Sequence, residues 1–69
     1  MTQHERVIEY IKTNGSITPI EATLHLGIID LARTASAMRK NGIKIFGEWE
    51  SSKNRFGDSV RFKRYSLRD

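Results

Sequence analysis

Three observations predict an α+β fold with three helices followed by a two-stranded β-hairpin. Between Ser16 and Asn41 lie two helix-sized blocks divided at Gly27. Each block carries its own start or stop signal. Thr18-Pro19-Ile20-Glu21 offers a capping Thr, a Pro suited to the first helical position, and a Glu three residues after the cap. The second block runs from the cap-type residue Asp30 to the stop Asn41-Gly42. Beyond Gly42 the apolar spacing changes from helical to alternating. A short helix, a turn, a second helix with a polar basic face, and then a hairpin make the layout of a winged helix-turn-helix.

The elements follow in chain order. A first helix is expected over Gln3–Thr13, with Thr2 and Glu5 forming a capping box and Asn14-Gly15 a stop. Val7, Ile8 and Ile11 share one face, with Tyr10 at its edge. Ser16-Ile17-Thr18 is an extended link; Ile17 points into the core, and a short third strand can form near residues 16–18. The second helix covers about Pro19 to Leu26, with Ile20 and Leu24 expected to pack inward beside Ala22 or Thr23. Leu26-Gly27-Ile28 makes the turn, with Gly at a left-handed position. In the tightest helix-turn-helix a small residue stands four before this Gly. Here Thr23 stands there and Ala22 is five before, so a turn one residue longer is expected.

The third helix covers about Asp30 to Lys40. Leu31, Ala35 and Met38 form its buried stripe, and Ala32 permits a close neighbour. At about 100° per residue, Arg33, Ser36, Ala37 and Lys40 fall on the opposite face and Thr34 at the border. In the hairpin, Ile43, Ile45 and Trp49 alternate with Lys44, Phe46, Glu48 and Glu50, with Gly47 as a candidate bulge. Ser51 to Asp58 has turn chemistry, and a second strand spans Ser59 to Leu67. Val60 and Phe62 share one parity while Tyr65 and Leu67 take the other, which predicts a register shift near Lys63-Arg64. One face of a ribbon packs on the helices, so Trp49, Phe62 and Tyr65 are read as core residues.

Totals narrow the function. Sixty-nine residues are expected to form a single domain, 1–69. The absence of Cys excludes disulfides, thiolate metal sites and Cys nucleophiles, and fits a reducing cytoplasm. No apolar run approaches a membrane span, and the N-terminal residues lack a signal-peptide layout. His4 and His25 have no third ligand in sequence, so no metal or other cofactor is expected. Nor does any nucleophile–base pair or phosphate-cradling Gly loop point to an enzyme.

Charge is polarised. The net +4 splits into −1 over residues 1–35 and +5 over residues 36–69. That is the electrostatic footprint of a polyanion binder. The candidate DNA-binding residues are Arg33, Thr34, Ser36, Ala37, Arg39 and Lys40 on the third helix, and Lys53, Asn54, Arg55, Arg61, Lys63 and Arg64 on the hairpin. Arg33 could take a guanine edge bidentately, and Ser36 or Thr34 a base or phosphate. Arg39 and Lys40 suit phosphates. Lys53, Asn54 and Arg55 stand at the hairpin tip, where an Arg can enter a minor groove.

Several runs carry a resemblance. They are Gly15-Ser16-Ile17-Thr18-Pro19-Ile20-Glu21-Ala22, Leu26-Gly27-Ile28, Leu31-Ala32, Arg39-Lys40-Asn41-Gly42, Lys53-Asn54-Arg55-Phe56-Gly57, and Val60-Arg61-Phe62-Lys63-Arg64-Tyr65. With them the chain resembles, over nearly its whole length, a family of small winged helix-turn-helix proteins common in bacteriophages and prophages. The resemblance implies a winged helix and a phage setting. Arg33-Thr34 stands where Ala-Arg is more usual in that family, and Ala37 where an acidic residue is frequent. A DNA sequence preference is therefore not carried over.

Two functions are expected from these features. The first is non-enzymatic binding of double-stranded DNA, as a phage or prophage regulator or recombination accessory factor in the bacterial cytoplasm. The third helix would lie in the major groove and the basic hairpin on the backbone or minor groove. About five to seven phosphates could be neutralised. The alternative is a phage protein that binds a host polymerase, nuclease or defence complex through the same basic face. A homodimer could supply paired half-sites, and the hairpin's outer edge could pair with a second chain.

Overall fold

Capping chemistry sets all three helix starts. The computed structural model describes residues 1–68. Helix α1 (Gln3–Asn14) opens on Thr2, whose hydroxyl accepts from the Glu5 amide at 3.2 Å while the Glu5 carboxylate accepts from the Thr2 amide at 2.8 Å. The same reciprocal box opens helix α2 (Pro19–Glu21): the Glu21 carboxylate accepts from the Thr18 amide at 2.9 Å. Helix α3 (Leu31–Lys40) starts at Asp30, which accepts from the Arg33 amide at 3.1 Å. Strands β1 (Ile45–Lys53) and β2 (Ser59–Leu67) complete the chain as an antiparallel hairpin.

The extra residue before Gly27 is absorbed inside the helix rather than in the turn. Helix α2 continues as a π-helical turn, Ala22–Leu26, and Gly27 closes it in the left-handed conformation at φ 69°. The amides of Gly27 and Ile28 reach back to Thr23 O and Ala22 O at 3.2 and 3.1 Å. The Thr23 hydroxyl bridges this turn, lying 3.1 Å from Pro19 O and 2.9 Å from Ile28 O. Widening the helix by one residue keeps Ala22 fully buried without lengthening the connection.

That geometry overturns the expected inner face of α2. Ile20 and Leu24 are 68% and 72% exposed. Each lies two residues from Ala22, roughly 200° around the helix, so an inward Ala22 turns both outward. The core instead joins Val7 and Ile11 of α1 with Ile17, Ala22 and Ile28, with Leu31, Ala35 and Met38 of α3, and with Ile45 and Tyr65 of the hairpin.

The hairpin also differs from expectation. Its register is unbroken from Ile45↔Leu67 to Lys53↔Ser59, with neither a bulge at Gly47 nor a shift near Lys63-Arg64. Gly47 serves another purpose. It faces Tyr65 across the ladder, and a Cβ there would lie 2.9 Å from the Tyr65 ring. The missing side chain lets the ring close over β1 and seal the core. The third strand reduces to one bridge: Ile17 N–H donates to Tyr65 O at 2.9 Å, and Tyr65 N–H to Ile17 O at 2.8 Å.

Both faces of the ribbon meet the helices, which explains the mixed parity. Ile45, Tyr65 and Leu67 turn one face into the core. The opposite face carries Phe62 and Arg64 against the start of α2, across a groove of about 510 Å³ that Ile20 and Val60 also line. Tyr65 is a core residue as expected and Phe62 is half-buried, but Trp49 is 60% exposed. It sits at the middle of the ribbon, one same-face pair beyond Tyr65.

Candidate nucleic-acid interface

On α3, burial of Leu31, Ala35 and Met38 forces Arg33, Ser36 and Lys40 outward, and all three are exposed. Ala37 is half-buried beside them. Thr34 departs from its border assignment. It is 7% exposed, and its hydroxyl lies 3.2 Å from both Gln3 Oε1 and Asp30 O. It fastens α3 to α1 and does not reach the outer face. Arg39 is exposed but engaged: its guanidinium donates to Ile45 O at 3.3 Å and to Ser36 Oγ at 3.4 Å, clamping α3 onto β1.

On the hairpin, Lys53, Asn54 and Arg55 are exposed at the tip. Asn54 builds the loop. Its side-chain oxygen accepts from the amides of Phe56 and Asp58 at 2.9 and 3.1 Å. Lys53 and Arg55 make no side-chain hydrogen bond or ion pair among the described residues. Arg61 and Lys63 lie against Trp49, with their charged atoms 4.9 and 5.3 Å from its ring centre. Arg64 falls outside the group: it forms an ion pair with Glu50 and donates to Ser16 Oγ at 3.1 Å. It is a tie between hairpin and helices.

The structure thus gathers two open cationic areas. One is the outer face of α3, with Arg33 and Lys40 around Ser36. The other is the outer hairpin, with Lys53, Arg55, Arg61 and Lys63. Both α3 and one ribbon face meet in the core at Met38 and Ile45, so the ribbon face bearing Trp49, Arg61 and Lys63 is the one that turns toward α3 at its base. Trp49 was not among the candidate residues because it was grouped with Phe62 and Tyr65 as core. The signal that could have found it is the uninterrupted register, which sets Trp49 directly opposite Lys63.

The remaining titratable groups support structure. Burial pushes the Glu21 carboxyl up, but hydrogen bonds from Thr18 and the Tyr10 hydroxyl, together with the Arg64 charge, outweigh it and hold the group below its ordinary range. Burial pushes the Tyr65 phenol up. Tyr10 and His25 stack at 5.8 Å, which joins α1 to α2. Among the described residues no cluster of three or more His, Cys, Asp or Glu could hold a metal, and no helix is long and apolar enough to cross a membrane.

The helices, the hairpin and the bridge from the hairpin's base to the link before α2 form the frame on which these residues stand. The description "winged helix-turn-helix domain" matches residues 2–69. The chain belongs to that family. No curated protein and no solved structure matches it. Membership makes DNA binding the activity expected of this winged helix, and nothing in it shows catalytic activity.

Proposed function

We propose that this winged helix binds double-stranded DNA without chemistry, with the outer face of α3 in the major groove and the outer hairpin along the backbone or minor groove. The observation that carries this reading is the freedom of its cations. Arg33, Lys40, Lys53 and Arg55 are exposed, and no ion pair holds them among the described residues. Arg33 is the candidate for a guanine edge, with Ser36 beside it; Lys40, Lys53, Arg55, Arg61 and Lys63 are candidates for phosphates. Thr34 and Arg64 drop from the contact set, and Arg39, Asn54 and Ala37 act as supports. The resemblance to small phage and prophage proteins favours a regulator or recombination accessory factor.

The test is fluorescence anisotropy of a labelled duplex at several salt concentrations. About four to six phosphate contacts predict a log–log salt slope of roughly −4 to −5. Arg33→Ala should relax sequence preference at one position, losing about 1–3 kcal/mol of discrimination. Lys53→Ala should weaken all duplexes alike and flatten the slope by about one unit. No salt-sensitive binding even at low salt would overturn the reading and leave the basic face to an acidic protein partner.

A further inference from the structure

Trp49 is the chain's single tryptophan, and it stands outside the core. It is 60% exposed on β1, one same-face ladder pair beyond Gly47 and the buried Tyr65. Strand β1 is the outer strand of the sheet, since Ile17 pairs on the far side of β2. Exposing an indole to water is unfavourable, and neither core packing nor a hydrogen bond compensates for it here. Yet its position is well defined. Lys63 stands opposite it in an unbroken register and Arg61 lies diagonally across, both with their charges against the ring. A ring 60% exposed to solvent, with two cations lying against it, combines the two parts of a single-strand binding surface. The ring gives a base something to stack on, and the cations meet the phosphates either side of it.

We propose that the outer hairpin binds unpaired DNA, with Trp49 stacking on an exposed nucleobase and Arg61 and Lys63 neutralising the adjoining phosphates. The preferred ligand is then a duplex with a single-stranded tail or an opened base pair, rather than a blunt duplex. A paired base inside a duplex presents no free face to the ring, whereas an unpaired one does. Charge complementarity selects a polyanion over an apolar protein groove. This inference extends the proposed duplex binding but does not depend on it, because the stacking surface can hold a single strand alone.

The experiment uses the whole chain and two readouts. Quenching of tryptophan fluorescence, excited where tyrosine does not absorb, reports contact at Trp49 itself. Anisotropy reports affinity for three labelled probes: an oligothymidylate, a blunt duplex, and the same duplex with an unpaired thymidine tail. The expected result is quenching by the oligothymidylate and by the tailed duplex. The tailed duplex should also bind at least about fivefold more tightly than the blunt one. Trp49→Ala should abolish that preference while leaving blunt-duplex affinity within about twofold, and Trp49→Tyr should restore part of it. Loss of blunt-duplex binding alone, with the oligothymidylate still quenching, would defeat the duplex reading and leave this one standing. A tailed-to-blunt ratio unchanged in Trp49→Ala, or no quenching by any unpaired probe, would overturn it.

Discussion

The hairpin is one ribbon with two characters. Its base and its outer half share strands, register and twist, and Gly47, Trp49, Arg61, Lys63 and Tyr65 all lie on the same face. At the base that face is dry: Ile45 and Tyr65 are buried, Leu67 half-buried. Four residues farther along β1 it is open, and the partners across the ladder change from Tyr and Leu to Lys and Arg. Nothing in the backbone marks the boundary. The side chains do, because the helices cover the ribbon only as far as Tyr65 reaches. The difference shows that alternation in a sequence identifies a strand's faces but not how far along the strand a face is covered.

The largest effects should separate the two halves outright. Tyr65→Ala removes a buried ring that touches the core and faces Gly47, and comparable aromatic truncations cost about 3–5 kcal/mol. A domain of this size has a total stability on the order of 5–10 kcal/mol, so this variant should lose roughly half of it and unfold at a much lower urea concentration. Trp49→Ala removes a larger side chain from the same face, yet should cost no more than about 1 kcal/mol, the scale of one cross-strand pair. Urea unfolding followed by circular dichroism compares them directly. Similar losses from the two substitutions would erase the proposed boundary.

Gly47→Val sharpens the location of that boundary and should rank second. The added side chain has no room, since even its Cβ would meet the Tyr65 ring at 2.9 Å. Valine favours strands in general, so a gain in stability would follow if Gly47 sat on an open surface. Overpacking predicts the opposite, a loss of about 1–3 kcal/mol. The double variant Gly47→Val with Tyr65→Ala should lose much less than the sum of the two, because the clash disappears with the ring.

How much of this was legible depended on whether the information was local. The capping boxes at Thr2 and Thr18, the stop at Gly27 and the stripe Leu31, Ala35, Met38 involve residues within one or two turns, and the structure follows them. Ile20 and Leu24 were misread because their orientation is fixed by Ala22 and the π turn, a feature that apolar spacing does not encode. Thr34 looks like a surface residue at the border of α3, and only its approach to Gln3, 31 positions away, draws it inside. Arg64 carries the same charge as its neighbours, but its pairing with Glu50 depends on the hairpin register. Within the candidate interface, the residues at the helix surface and loop tip were therefore readable. The cations tied down by long-range contacts were not.

The smallest effect should come from the seam where the ribbon's other face meets α2. Glu21 sits there, accepting from Thr18 and the Tyr10 hydroxyl with Arg64 close by, and its carboxyl is held below the ordinary value of 4.5. A carboxyl whose folded value is lowered binds its proton less readily when folded. Its contribution to stability is therefore complete above pH 4.5 and is lost as the pH falls through the lower folded value. Glu21→Gln keeps an oxygen that can accept from the Thr18 amide but removes the charge. The stability gap between wild type and Glu21→Gln should be open at neutral pH and close in acid. Glu5, lowered by Thr2 in the same way, is common to both proteins and cancels in the difference. A gap that persists unchanged into acid would mean that shape rather than charge holds the seam.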